Sequence, residues 1–295
     1  APPNPNCIYN RDAFTGEFTT LKPGINLSEF MGIDNVRTNY ILQPDGIEYV
    51  LVLKIDFPDK PGTRSGDEID GYFFGEDEVS LKTYYDENSY GKMKVEPGYL
   101  NGCMPRGNNW YRASRSMGYY GQGKIQVERY KELVREACQL ADDDVDFSKY
   151  DRDRNGVVDH LFVIHSGDDE ASTFSGTYNE NIWSILVPSI NTQYDGVMVD
   201  TASMAAEEPS FEKPHLGIYF HEFFHDFGAP DIYGNGSFTD ANDNKWCLMG
   251  QFGPYQGPNQ NGLEPSHICG YLKWDFDARP ENGFIGWIEP TEIKQ

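Results

Sequence analysis

His221, Glu222 and His225 stand in the pattern H-E-x-x-H. On a helix, residues four apart share a face and lie about 6 Å apart, so the two histidines can reach one ion. Glu222, offset by about 100° around the axis, can reach a water held by that ion instead of the ion itself. The alternative is a set of ordinary buried polar residues. A buried apolar helix rarely carries two histidines and a glutamate without a partner, however. Two ligands do not complete a catalytic site. Gly228 follows His225 by three residues and can end the helix in a left-handed turn. Pro230 stiffens the return, and Asp231 can then swing its carboxylate under the metal. A plain turn-forming carboxylate is the competing role for Asp231, and Glu264 is the rival third ligand. The glycine turn favours Asp231. Two imidazoles and one carboxylate leave zinc an open position, as in catalytic sites. Zinc can lower the pKa of a bound water to about 7. Glu222 is the expected general base and acid: it takes the proton of the zinc-bound water as that water attacks a peptide carbonyl, then passes it to the leaving amine. Neither a G-x-S-x-G motif nor a recognisable catalytic cysteine competes with this arrangement.

A second cluster, "DRDRNGVVD", matches the start of an EF-hand calcium loop. Asp151, Asp153 and Asn155 hold positions one, three and five, and Gly156 holds position six. Val157 offers its carbonyl and Asp159 stands at position nine, but Phe162 replaces the usual bidentate glutamate. A strand follows where an EF-hand has a helix. An EF-like loop with Ca²⁺ affinity of about 10⁻⁴–10⁻³ M is therefore expected, against the alternative of an Asx-stabilised polar turn.

Five cysteines occur, and none forms C-x-x-C. Proximity in sequence favours Cys103 with Cys138 and Cys247 with Cys269, among fifteen pairings of two disulfides and one free thiol. Cys7 is then left over, in the proline-stiffened "PPNPNCIYN". Its thiolate can cap the zinc and hold an enzyme latent; pairing elsewhere or a free thiol are the alternatives. Among the other histidines, His160, His165, His215 and His267, structural roles are expected, with His165 the best placed for substrate contact. Phe252 and Tyr255 are candidates for a specificity pocket or for packing.

Several elements must position these groups. "EYVLVLKIDF" and "VVDHLFVIHSG" read as buried strands, with "NIWSILVPSI" and "GVMVDTASMA" as further candidates. "EDEVSLKTYYDENS" reads as a helix with acids in its first turn. The longest helical pattern runs through "KIQVERYKELVREACQLADD", with Ile125, Tyr130, Leu133, Val134, Ala137, Cys138 and Ala141 on one apolar face. "HLGIYFHEFFHDFG" is apolar almost all round, so it is expected to be buried. A late helix is expected near "EPSHICGYLKW".

The chain of 295 residues, 38% hydrophobic, suits a folded globular protein. A net charge of −23 disfavours nucleic-acid partners, and no run of about 20 apolar residues predicts a membrane span. The start "APPNPN" reads as a mature or trimmed N-terminus, which points to a secreted, extracellular protein. Further domains in a longer product are compatible with this.

H-E-x-x-H-x-x-G-x-x-D followed by "WCLMG" resembles the metzincin zinc proteases. The resemblance implies that Met249 lies in a Met-turn beneath the metal. With "VLVLKIDFPD", "YYDENSYGKMKV" and "DFSKYDRDRNGVVDHLFVIHSG", the chain more narrowly resembles the immune inhibitor A-type M6 peptidases over roughly residues 48–275. Cys247, just before the Met-turn, departs from that pattern and can tether the loop to Cys269.

The expectation is an α+β, metzincin-like fold: a mixed twisted sheet with a backing helix and an active-site helix, then an irregular C-terminal part with the Met-turn and one helix. Residues 1–45 would be an N-terminal arm or pro-segment remnant. Residues 46–228 and 229–295 would be the two catalytic subdomains. The expected function is a secreted zinc endopeptidase acting on proteins or peptides. Two alternatives remain: a catalytically silent metal-binding adhesion or scaffold module, and a Glu-ligated zinc protease of another clan.

Overall fold

The computed structural model describes residues 10–11, 18–19, 43, 45–121, 125–170, 180–229, 231–232, 245–250, 252–255, 262–273 and 286–288. Short strands β1 (Asn10–Arg11) and β2 (Phe18–Thr19) pair antiparallel. The central strand β3 (Ile47–Asp56) is an apolar run buried on both faces, as sheets covered on both sides require. It pairs in parallel with β4 (Lys94–Glu96) and β5 (Tyr111–Arg112) along one edge, and with β6 (His160–His165) along the other. β6 pairs in parallel with β10 (Ala202–Ala206), and β10 pairs antiparallel with β7 (Ile185–Val187). The result is a mixed, mostly parallel sheet.

Alternate residues of β3 and β6 feed two cores. Leu51, Leu53, Ile55, Leu161 and Val163 face one side. There they meet helix α4 (Val127–Ala141), whose Tyr130, Leu133, Val134, Ala137, Cys138 and Ala141 are all buried. Ile125 departs from the expected face: it precedes the helix and is exposed. Val50, Val52, Phe162 and Ile164 face the other side. That core also holds α1 (Gly66–Phe74), α2 (Leu81–Asn88) and α5 (Leu216–Asp226), and every residue of α5 is buried.

Two further expectations are corrected, one helix is added and one is found shorter than its stretch. The acids of "EDEVS" precede α2, because Ser80 caps that helix in a reciprocal box with Thr83. α1 was not expected at all; it opens with a Ser65–Glu68 capping box. "GVMVDTASMA" splits: β9 (Val197–Val199) turns back on β8 (Thr192–Tyr194) through Asp195-Gly196, both at positive φ, before β10 begins. The late helix is a single turn, α6 (Gly270–Lys273), and Glu264 lies outside it. A one-turn helix, α3 (Met117–Tyr120), completes the set.

The cysteines divide unevenly. Cys103 and Cys138 are buried free thiols in opposite cores, with the sheet between them, so the expected Cys103–Cys138 pair does not exist. Cys247 and Cys269 are thiols in this structure, but they are neighbours: the Cys269 N–H donates to Cys247 Sγ at 3.2 Å. Cys7 lies outside the described residues.

Candidate metal centre

α5 sits beneath β10 and is held there by its own side chains. The Tyr219 hydroxyl donates to Ala206 O at 2.6 Å, and Tyr85 of α2 donates to Phe220 O at 2.7 Å. Ser203 Oγ donates to Glu222 O at 3.0 Å. At the far end, His160 Nδ1 meets Asp226 Oδ2 at 2.5 Å and Thr201 Oγ1 donates to Asp226 Oδ1 at 2.8 Å. The helix ends at Gly228, whose φ of +83° only glycine adopts without strain. Gly228 N–H closes on His225 O at 2.8 Å, and the chain turns back toward Asp231. Pro230 lies outside the described residues.

His221, His225 and Asp231 come together. The two Nε2 atoms are 3.2 Å apart, and Asp231 Oδ1 lies 3.1 Å from His221 Nε2 and 3.4 Å from His225 Nε2. Each imidazole has its other nitrogen committed to a backbone carbonyl: His221 Nδ1 to Leu248 O at 3.0 Å, His225 Nδ1 to Ala229 O at 2.7 Å. These partners assign the proton to Nδ1 and leave a lone pair on Nε2. No donor hydrogen is aimed at Asp231 Oδ1 among the described residues. Three acceptor atoms so close repel one another unless a cation lies among them. Ligand atoms ~2.0–2.1 Å from a tetrahedral zinc are ~3.3 Å apart, so the triangle fits that ion. Burial raises the Asp231 carboxyl; only with the imidazoles in their protonated form would they outweigh it and hold it well below the usual carboxylate range, so a positive charge is again what this point favours.

Glu222 is buried beside this triangle. Burial foremost, with the Asp231 and Asp169 carboxylates adding, pushes its carboxyl up to about 8; His221 and the Leu186 N–H of β7 oppose the rise. It can therefore hold or release a proton near neutrality. Met249 is fully buried in the tight turn Cys247–Gly250, closed by Gly250 N–H to Cys247 O at 2.9 Å. Glu264 is exposed and stands outside the cluster.

The "DRDRNGVVD" segment brings three of its expected groups together: ligand oxygens of Asp151, Asp153 and Asp159 lie within 4.8 Å of one another. Asn155 N–H donates to Asp151 Oδ1 and Asp153 Oδ1, both at 3.0 Å, and Gly156 N–H donates to Asp151 Oδ2 at 3.0 Å. Val157 N–H donates to Asn155 Oδ1 at 2.8 Å, and Gly156 adopts φ +86°. A strand, β6, follows the loop.

His165 is corrected. It is fully buried, its Nδ1 lies 3.0 Å from Ser166 O, and burial pulls it down to about 4, so it cannot contact substrate. Tyr255 is half-buried and packs edge-on against His215, ring centroids 5.6 Å apart, while Phe252 is half-buried. The groups missed in the sequence are the orienting carbonyls of Leu248 and Ala229, which have no side-chain signal. Asp226 was also missed, although its place directly after His225 was a signal.

Comparison with known proteins gives the family. The model of "Immune inhibitor A peptidase M6, catalytic domain" matches residues 64–283. The pre-pro-metalloprotease PrtV of Vibrio cholerae is 28% identical over 230 residues, which is 68% of this chain and 24% of that protein. Immune inhibitor A of Bacillus thuringiensis subsp. alesti is 27% identical over 198 residues, 58% of this chain and 28% of that protein. The chain thus spans about a quarter of the length of these relatives. A solved structure, OgpA from Akkermansia muciniphila, overlays with a TM-score of 0.42 at 14% identity, covering 80% of this chain and 61% of that one, too loose a likeness to argue from. With three quarters of its residues matched, and the H-E-x-x-H helix inside the matched span, the chain belongs to the immune inhibitor A peptidase M6 family.

Proposed function

We propose that this chain is the catalytic part of a secreted zinc endopeptidase that hydrolyses peptide bonds in proteins. The observation that carries this is the triangle of three lone-pair atoms, 3.1–3.4 Å on a side, with its imidazoles oriented by backbone carbonyls. His221, His225 and Asp231 would hold the ion. When bound, zinc supplies a Lewis acid that polarises a peptide carbonyl and acidifies water. Glu222 removes a proton from the attacking water at its carboxylate and returns it to the leaving amine. Its buried environment suits both transfers, because a base poised near the working pH gives and takes a proton with similar ease. Met249 would form the apolar floor beneath the ligands, and the catalytic unit would divide at Gly228 into residues 46–228 and 229–295.

We also assign Ca²⁺ to the Asp151–Asp159 loop. Its carboxylate oxygens fit within the ~5 Å span of a calcium oxygen shell. Secretion is supported by the relative from Vibrio cholerae, a pre-pro-metalloprotease.

The test is casein hydrolysis by the purified chain together with its zinc content. Activity blocked by a zinc chelator, restored by zinc and lost in Glu222→Ala is the expected result. Wild-type protein that holds zinc and cleaves no protein substrate would instead favour the silent binding module.

A further inference from the structure

The turn Cys247–Gly250 touches the metal triangle on two sides. Leu248 O orients His221 through Nδ1 at 3.0 Å. Met249 O accepts the N–H of Ile232, the residue after Asp231, at 3.0 Å. One three-residue segment therefore sets the position of one histidine ligand and of the backbone beside the carboxylate ligand. Cys247, Leu248 and Met249 are themselves fully buried in the core around α5. Leu248 N–H donates to His267 O at 3.1 Å, and Cys247 Sγ accepts from Cys269 N–H at 3.2 Å. Both anchors lie on the strip just before α6.

We propose that Cys247 and Cys269 form a disulfide, and that this bond fixes the turn that orients the metal ligands. The two thiols lose two protons and two electrons as the S–S bond forms, and a low-molecular-weight disulfide is reduced to two thiols by exchange. Two observations point to this pair. The sulfur of Cys247 already rests against the backbone of Cys269. Cys103 and Cys138 sit in opposite cores and cannot compete as partners for each other. Orienting groups behind a metal ligand commonly govern how tightly the metal is held, and a turn free to shift would loosen Leu248 O from His221.

The consequence for the metal rests on the zinc assignment above; the pairing does not. Two measurements separate them. The purified chain, equilibrated with oxidised glutathione, denatured and alkylated without reductant, is mapped by mass spectrometry. A linked peptide pair containing Cys247 and Cys269, with Cys103 and Cys138 alkylated, is expected. Alkylation of both Cys247 and Cys269, or linkage of either to another cysteine, overturns the pairing. Zinc release to a chromogenic chelator is then followed for three forms. These are the oxidised chain, the chain reduced by a phosphine to two additional alkylatable thiols, and the double variant C247S/C269S. Release about tenfold faster from the reduced chain and the double variant is expected, with Cys103→Ala matching the oxidised wild type. Equal rates in oxidised and reduced wild type overturn the coupling, whether or not the double variant folds. A chain that binds no zinc at all sinks the zinc assignment and leaves the peptide map to decide the pairing.

Discussion

Glu222 is one residue from His221, a proposed metal ligand, yet its surroundings differ in kind. His221, His225 and Asp231 present lone pairs to a common point, whereas Glu222 is held near neutrality by burial. Glu222→Gln keeps the size of the side chain and removes its ability to carry a proton. It should lower kcat by about 10²–10⁴-fold with zinc content unchanged, measured by metal analysis on the same sample. Loss of zinc in parallel with activity would assign Glu222 to ligation instead. Asp231→Ala should strip the zinc, and Glu264→Ala should leave both zinc and activity intact; the reverse pattern would restore the Glu-ligated alternative. The cluster His221, His225 and Asp231 was legible in the sequence because spacing alone puts His221 and His225 on one helix face and Gly228 turns the chain toward Asp231. The carbonyls of Leu248 and Ala229 were not legible. A carbonyl is the same on every residue, and only the fold says which one faces an imidazole.

α5 carries the histidines, and its C-terminal turn is clamped to the sheet by a buried charge cluster. His160 of β6 lies between Asp226 of α5, at 2.5 Å, and Glu48 of β3, at 3.5 Å, with Phe223 and Phe227 rings on its flanks. Burial alone would depress this imidazole, but the Asp226 and Glu48 carboxylates outweigh it and raise it to about 9. The folded value lies above the unfolded value near 6.5, so the stabilisation is complete below about pH 6.5 and is lost as pH rises through 9. Its size is on the order of 3 kcal/mol. The melting temperature of the wild type should therefore fall between pH 6.5 and 9. His160→Gln should melt lower at pH 6 and show a flatter decline across that window; parallel declines would remove His160 as the cause. At this scale the sequence was uneven. β3, β6, α4 and α5 were legible from unbroken apolar runs or a single buried stripe. α1 was hidden because "GDEIDGYFF" holds two glycines and three acids, and its one signal is the Ser65–Glu68 capping box. In "GVMVDTASMA" the break at Asp200-Thr201, between β9 and β10, carries no turn signature and reads as continuous strand.

Across the whole molecule, 47 acidic residues against 24 basic ones impose self-repulsion, which is relieved wherever a cation binds. The Asp151–Asp159 loop is where such a cation would tie distant parts together. Met198 N–H of β9 donates to Gly156 O and Val158 N–H donates to Met198 O, both at 2.8 Å, so the loop is stitched to the β8–β9 hairpin. Phe147 N–H donates to Asp195 Oδ2 at 2.8 Å, joining the same hairpin to the segment after α4. Asp159 leads directly into His160 and the clamp on α5. Calcium bound here would be felt as stability of the domain, because the unfolded chain cannot gather these ligands. At a calcium concentration ten times the dissociation constant, the gain is about 1.4 kcal/mol. For a chain of this size that amounts to a rise of about 2–3 °C in melting temperature. Scanning calorimetry of the zinc-loaded chain, with calcium and with a calcium-selective chelator, should show this rise. Asp153→Asn should abolish it while leaving the zinc content unchanged. A melting temperature indifferent to millimolar calcium in the wild type would leave the loop as an Asx-stabilised turn held by its own amides.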